Sequence, residues 1–431
     1  MGSSPRDSDA EMEAMEEFTD PADSPRGPLL DTTAKDVAAG KDIQGIPWDR
    51  LNFTREEYRS NRLKEFRNYT NVLNNEGQEY ADYLASLELE CKAPKKQSVF
   101  FEFLRNSHNV VSSITHFQLR NLLWATSKHD VFLMADNCVN HWDLLSIKSP
   151  GYEPTQVMNL RGGIVSSRAS RLGLVNISTI WAGNGLVVAG GFNGQIAVQR
   201  LCDSGLAYEG YITQSDNSIT NAIEVFHEGG EGTEPKVLSS NNDSSVRVLN
   251  METWDVEAHF PFEWAVNYAT MCPQDKKLVG VVGDDPEGYI MDRTSGARVA
   301  KLTGHRDYSF AAAWMPNSMV LATGNQDLTT RLWDMRKPEE PMLVLRGKMG
   351  AIRSVRFSSD GRYLAMAEPA DFVHVFDVTK GYQECQEIDL FGEISGISFT
   401  PDADMLFVGI VDETYGSMVQ YRRKAAIDAA W

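Results

Sequence analysis

The chain has 431 residues, with 60 Asp and Glu against 41 Lys and Arg, for a formal charge of −19. Such a charge opposes general binding to phosphate backbones or anionic lipid, so nucleic acid and membrane are disfavoured as partners. The five cysteines (Cys91, Cys138, Cys202, Cys272, Cys385) are scattered without paired CxxC spacing, which argues against a disulfide framework or zinc site and favours a reducing compartment.

Residues 1–45 carry 11 acidic and 4 basic residues and few large apolar ones. They are expected to form a disordered acidic tail, because they bury too little surface to offset ordering entropy. Ser4-Pro5 and Ser24-Pro25 within it fit proline-directed kinases. Gly2 is followed by Arg6 where a myristoylation signal wants Ser or Thr, no signal peptide is evident, and no apolar run approaches a membrane span. Residues 46–92 are too aromatic for a free tail and are predicted to form a short helical extension. Thr54 with Glu57 is a capping box, and the helix should run to about Val72 before Asn74, Asn75 and Gly77. Arg55, Arg59 and Arg62 share one face of it. That face packs on the flank of the domain against acids, or docks an acidic partner, or binds RNA. Tyr80, Leu84, Leu87 and Leu89 follow at a spacing that suits a packed amphipathic helix as well as a leucine-rich export signal.

From residue 98 the pattern changes to short alternating apolar runs divided by turn residues, which predicts strands. The plainest unit runs from Gly304-His305 to Trp333-Asp334. Taking Trp333 as a marker for the end of the third strand, equivalent positions are Trp142, Gln199, Leu249, Met291, Phe376 and Tyr421. Their spacings, between 42 and 57 residues, fit a repeated four-stranded unit of about 40–45 residues with insertions near 149–154 and 227–236. Six outer strands can be read, at 154–160, 206–212, 255–260, 297–302, 341–346 and 384–390. The seventh unit has only AAIDAAW after Arg423, a poor strand. The segment 98–105 is therefore predicted to pair with residues 415–422 and close the ring, since open edges invite aggregation.

The Gly-His…Trp-Asp unit resembles a WD-repeat blade, which implies an all-β, seven-bladed β-propeller over residues 98–424, with 425–431 a C-terminal tail. The stretch IPWDRLNFTREEYRSNRLKEFRNYTN, the FFEFLRN strand and LVVAGGFNGQIAV resemble a WD-repeat family of plants and fungi. That resemblance implies no enzyme activity, and regulation in the nucleus and cytoplasm through protein partners. In WD-repeat blades His305, Thr323, Asp327 and Trp333 would form a structural hydrogen-bonded tetrad. Trp333, Asp334 and Arg336 form a WDxR box, similar to the adaptor-facing box of cullin-4 ligase substrate receptors.

No nucleophile elbow, zinc-protease helix or phosphate loop is present, and no His pairs with Cys at ligand spacing. The reading is therefore a non-enzymatic, monomeric interaction scaffold with no catalytic residue, cofactor or metal. A cullin-4 substrate receptor and an RNA-associated factor are the alternatives. The turn residues Asp136, Asn137, Asn193, Asn241, Asn242, Asp284, Asp285, Asn325, Gln326 and Asp412 belong on one face of the ring, where they stabilise turns first.

Overall fold

The repeated unit grows from tight hairpins. Asp130–Ala135 and Cys138–Asp143 pair so that Ala135 faces Cys138, leaving Asp136 and Asn137 as the whole turn. Both have positive φ, 48° and 59°, the conformation such a turn requires and the one Asp and Asn tolerate best. Along Leu186–Gly191 and Val320–Asn325 every residue is buried, because each sheet is covered on both faces by its neighbours.

The computed structural model describes residues 29–72, 77–146, 153–162, 172–229 and 233–425. The expected insertions near 149–154 and 227–236 fall partly outside them. Five sheets are four-stranded antiparallel meanders. Their innermost strands are Leu123–Ala125, Ile177–Gly183, Thr220–His227, Val266–Met271 and Ser309–Trp314. The sixth sheet has nine strands, since one long strand, Glu384–Phe399, serves two meanders. Its first half pairs with Ala370–Asp377 and its second half with Met405–Val411. The sequence suggested a break after 390; instead Gly392, at φ 115°, carries the ladder onward.

Phe101–Ser107 lies antiparallel to Ser417–Arg423, with Glu102 opposite Arg422 and Asn106 opposite Val419. An early segment and the last strand thus share one sheet, as the ring-closure argument requires. Leu122 N–H also donates to Ser395 O (3.3 Å), tying the first innermost strand to the long strand. Between other neighbours a side chain near the start of one innermost strand bonds the backbone of the next. Ser178 Oγ donates to Thr220 O (2.6 Å), Asn221 Nδ2 to Val266 O (2.9 Å) and Asn267 Nδ2 to Ser309 O (3.1 Å). Apolar cores fill the spaces between sheets: Trp333, fully buried, lies in one core with Cys272, Ile290, Trp314 and Leu321.

The front of the chain differs from expectation in three ways. First, the tail does not extend to residue 45. Thr32 and Thr33 pair with Asn106 and Arg105, and Thr33 caps helix α1 (Ala34–Ala38) through a capping box with Asp36. Asp31 accepts from Arg105 Nε (2.9 Å), and the Gln44 amide exchanges two 2.6 Å bonds with the Phe391 backbone. These long-range contacts offset ordering entropy that composition alone could not. Residues 1–28, with both Ser-Pro pairs, lie outside the described residues. Second, helix α2 (Arg55–Glu65) begins at the predicted Thr54/Glu57 box but stops seven residues before Val72. Beyond it the side chains of Phe66 and Asn68 turn into the fold: Phe66 packs beside Met349 and Phe372, and Asn68 Nδ2 donates to Gln326 O (3.0 Å). Third, α2 does not sit on the flank. It crosses the end of the ring that carries the second-to-third-strand turns and the outer-to-inner connections, touching Asp371, Asp389 and Phe391. The chain next reaches Asp307, forms helix α3 (Gly77–Glu90) and pairs Lys96–Gln97 with Glu384 and Cys385. Residues 42–72 and 77–97 are therefore a strap laid over three neighbouring meanders.

Candidate functional site

The predicted tetrad assembles as a closed network. His305 Nδ1 lies 2.9 Å from Asp327 Oδ2, and its Nε2 lies 2.8 Å from Thr323 Oγ1, which accepts the Trp333 indole N–H at 2.9 Å. Asp327 also accepts from the Arg306 and Thr329 amides (both 3.0 Å) and from the Thr329 hydroxyl (2.5 Å). Burial alone pushes the Asp327 carboxyl up, but His305 and these bonds outweigh it and hold it below the usual carboxylate range. The network also fixes Leu328 at φ 69°, a costly conformation for a branched apolar residue. Every member is buried and both imidazole nitrogens are engaged, so the cluster holds a turn together and presents no reactive atom to solvent.

The next sheet solves the same problem with other residues. Sequence reading found Gly347-Lys348 where Gly-His would stand and expected apolar packing to compensate. Instead the fully buried Glu368 carboxylate accepts three consecutive amides, from Lys348 (2.6 Å), Met349 (2.7 Å) and Gly350 (2.6 Å), and meets His374 Nε2 at 2.7 Å. The only sequence signal is an acid six residues before a histidine in a strand-like run. A further sheet uses Asp243, which accepts from Arg247 and from the hydroxyls of Thr213 (2.8 Å) and Ser215 (2.6 Å).

The three arginines of α2 face inward, which corrects the readings that gave them to an acidic partner or to RNA. Arg59 Nη1 meets Asp371 at 2.5 Å and its Nη2 meets Asp389 at 2.7 Å, with a further bond to Leu390 O. Arg62 grips both Asp371 oxygens (2.7 and 2.8 Å), and Arg55 reaches Asp389 at 2.8 Å. The Arg59 guanidinium also lies over the rings of Phe391 (4.1 Å) and Phe372 (4.6 Å). These guanidiniums are spent on the protein's own carboxylates.

At the opposite end of the ring the WDxR residues separate. Trp333 is fully buried and cannot touch an outside partner, whereas the Arg336 side chain is 84% exposed. Arg336 Nε bonds Asp334 at 2.9 Å, so the pair forms one projecting polar unit. In α3, Leu87 is fully buried and Leu89 is 90% exposed, so the spacing that suits an export signal also serves packing. Glu90 at its end bonds the buried Arg331 (2.7 Å) and Arg306 (3.1 Å), and these arginines outweigh burial to keep its carboxyl low.

On the innermost strands Arg356 reaches across to Tyr268 Oη (3.2 Å) and to Asn121 Oδ1, linking three sheets. Nearby, burial pushes the Glu224 carboxyl up to about 7, although the Met271 amide (3.2 Å) and the Arg356 charge favour its ionised form. Among the described residues no three His, Cys, Asp or Glu side chains are grouped to hold a metal, all five cysteines are free thiols, and no helix is long and apolar enough to cross a membrane.

Comparisons with known proteins agree with this architecture. The WD domain, G-beta repeat family matches residues 296–334, the stretch that contains the tetrad. A guanine nucleotide-binding protein subunit beta of Oryza sativa subsp. japonica is 25% identical over 189 residues, covering 39% of this chain and 50% of the relative. A probable cytosolic iron-sulfur protein assembly protein Ciao1 of Culex quinquefasciatus is 39% identical over 87 residues, 20% of this chain and 26% of the relative. A serine-threonine kinase receptor-associated protein of Gallus gallus is 23% identical over 192 residues, 44% and 53% of the two chains. The aligned stretches thus span about half of these relatives or less. Among solved structures, a chain in the crystal structure of a mitotic checkpoint complex superposes with a TM-score of 0.59 at 14% identity, over 78% of this chain and 95% of that one, which shows a shared fold.

Proposed function

We propose that this WD-repeat protein is a non-enzymatic scaffold that holds protein partners on a rigid, seven-bladed ring. The observation that carries this reading is the saturation of the buried His305/Asp327/Thr323 constellation. His305, Asp327, Thr323 and Trp333 bond one another below the surface, so these four serve the fold. The nine-stranded sheet supports the blade count, since the shared strand Glu384–Phe399 divides it into two meanders beside the five separate ones. A ring with its ends paired in one sheet keeps its loops in fixed relation, which suits simultaneous partners. Work in the nucleus and cytoplasm is part of the proposal, and so is a monomeric state. The test is crosslinking with mass spectrometry on the tagged chain at native abundance, paired with imaging. Reproducible crosslinks from ring residues to one or more proteins support it; a chain that crosslinks only to itself, or catalyses turnover of a small molecule, refutes it.

A second reading, a cullin-4 substrate receptor, is favoured by the projecting Arg336–Asp334 pair at the end of the ring opposite the strap. An exposed arginine fork suits a carboxylate across an interface. Arg336→Ala should abolish capture of the purified adaptor while leaving the melting temperature unchanged. If wild type and variant both fail to bind, that reading is wrong.

A further inference from the structure

The residue ending each third strand decides how tightly a sheet meets the one before it. Trp142, Leu249, Met291, Trp333, Phe376 and Tyr421 are all large and apolar, and none is more than 4% exposed. Each shares a core with the preceding sheet: Trp142 with Met405 and Phe407, Leu249 with Val188 and Val198, Tyr421 with Ala365 and Val373. The seventh position is Gln199, in the strand Gln195–Arg200. Its amide is shorter and polar, and it cannot fill the layer that an indole or phenyl ring fills elsewhere.

A cavity of about 770 Å³ opens at that place, between the sheet of Gln199 and the sheet before it. Its lining includes Phe132, His141, Met158, Gln199, Leu201 and Leu206. The His141 ring stacks on Phe132 (4.8 Å between centroids) and its Nε2 meets Asp130 Oδ1 at 2.8 Å, so one wall is stiff. Ser127 donates to the other Asp130 oxygen at 2.6 Å, yet the Asp130 side chain stays 41% exposed and has lone pairs left for a further donor. Among the described residues no Lys or Arg lines the cavity, and Leu201 is 41% exposed at its mouth.

We propose that this groove docks an extended segment of a partner protein. The segment inserts one leucine or aromatic side chain into the layer that Gln199 leaves unfilled, and sets an adjacent Lys or Arg on Asp130. Three features argue for that occupant. Six equivalent positions hold a large buried side chain, and at the seventh the cavity leaves room for one. The lining is apolar toward the core and amide-rich toward solvent, which suits a peptide with its own backbone to satisfy. The Asp130 carboxylate, the one carboxylate among the described lining residues, in a chain of charge −19, selects a basic flank. The proposal rests on the scaffold reading and names a site for it.

The test pans a random peptide library, displayed on phage, against the full chain. Enriched sequences should share a leucine or aromatic residue next to a Lys or Arg. Gln199→Trp, which fills the groove from inside, should weaken them at least about tenfold, the loss expected when a buried anchor is excluded. Leu201→Lys should weaken them likewise by charge repulsion at an exposed site that the fold does not need; it decides alone if Gln199→Trp fails to fold. Lack of enrichment, or equal binding to wild type and Leu201→Lys, overturns the groove. Peptides that bind all three chains equally would leave the scaffold reading standing and overturn only this site.

Discussion

Asp371→Asn isolates what holds the strap in place. Asp371 is fully buried and sits at φ 69°, a conformation Asn adopts readily, so the substitution alters charge and leaves the backbone alone. It removes the carboxylate that receives Arg59 at 2.5 Å and Arg62 at 2.7 and 2.8 Å, and those side chains are only 9% and 13% exposed. Breaking a buried ion pair by removing one partner costs on the order of 3–5 kcal/mol; Asn keeps one acceptor, so about 3 kcal/mol is expected. Arg55→Ala breaks a contact whose arginine is 33% exposed, and solvent screening limits that loss to about 1 kcal/mol or less. The assay is hydrogen exchange of the α2 amides. A local loss of about 3 kcal/mol is on the order of a hundredfold faster exchange across Arg55–Glu65, with the innermost strands unchanged. Exchange no faster in Asp371→Asn than in Arg55→Ala would refute the claim that this carboxylate anchors the strap.

Glu368→Gln replaces one carboxylate oxygen by an amide donor that must face the Lys348, Met349 or Gly350 N–H, and should cost about 2–3 kcal/mol in chemical denaturation. Asp327→Asn should destabilise at neutral pH by a similar amount, about 1–3 kcal/mol, by weakening the bonds to His305 and Thr329. Because the folded Asp327 carboxyl lies below its ordinary value, its contribution is full above that value and is lost as pH falls through the lowered one, so the gap between variant and wild type should shrink in acid. Glu224 has the reverse sign. With a folded value near 7 against an ordinary 4.5, its charging destabilises the fold as pH rises from 4.5 to 7. Glu224→Gln should therefore raise stability at pH 8 and change little at pH 5. The gain is at most about 2–3 kcal/mol, a ceiling because the carboxylate is only half-buried. Equal effects at the two pH values would refute the assignment.

The strap changes which parts of the ring are open to partners. Over the meanders that carry Asp307, Asp371 and Phe391 the loop ends are taken up by residues 42–71, through Asn71 to Asp307, the arginine clamp and the Gln44 exchange. The turns at Asp136, Asp243 and Asp284 lie in other sheets. At Asp284 burial, with Asp307 nearby, pushes the carboxyl up to about 6, although Asn267 bonds its ionised form.

Hairpins, outer strands and the tetrad were legible in the sequence because their signals are local. A turn needs Asp, Asn or Gly at fixed offsets, and a strand buried on both faces needs an unbroken apolar run, as in Leu186–Gly191. Even ring closure followed from arithmetic, since one unit lacked an outer strand and 98–105 was the strand left over. The roles of Glu368 and of the α2 arginines were not legible in this way. Arg59 meets Asp371 across 312 residues, and Glu368 meets three amides of a loop 18 to 20 residues away. A charged residue looks the same in sequence whether it faces water or a buried counter-charge. Only the tertiary structure, by setting Asp371 and Asp389 on two paired strands beneath one short helix, decided that these arginines bind the protein itself.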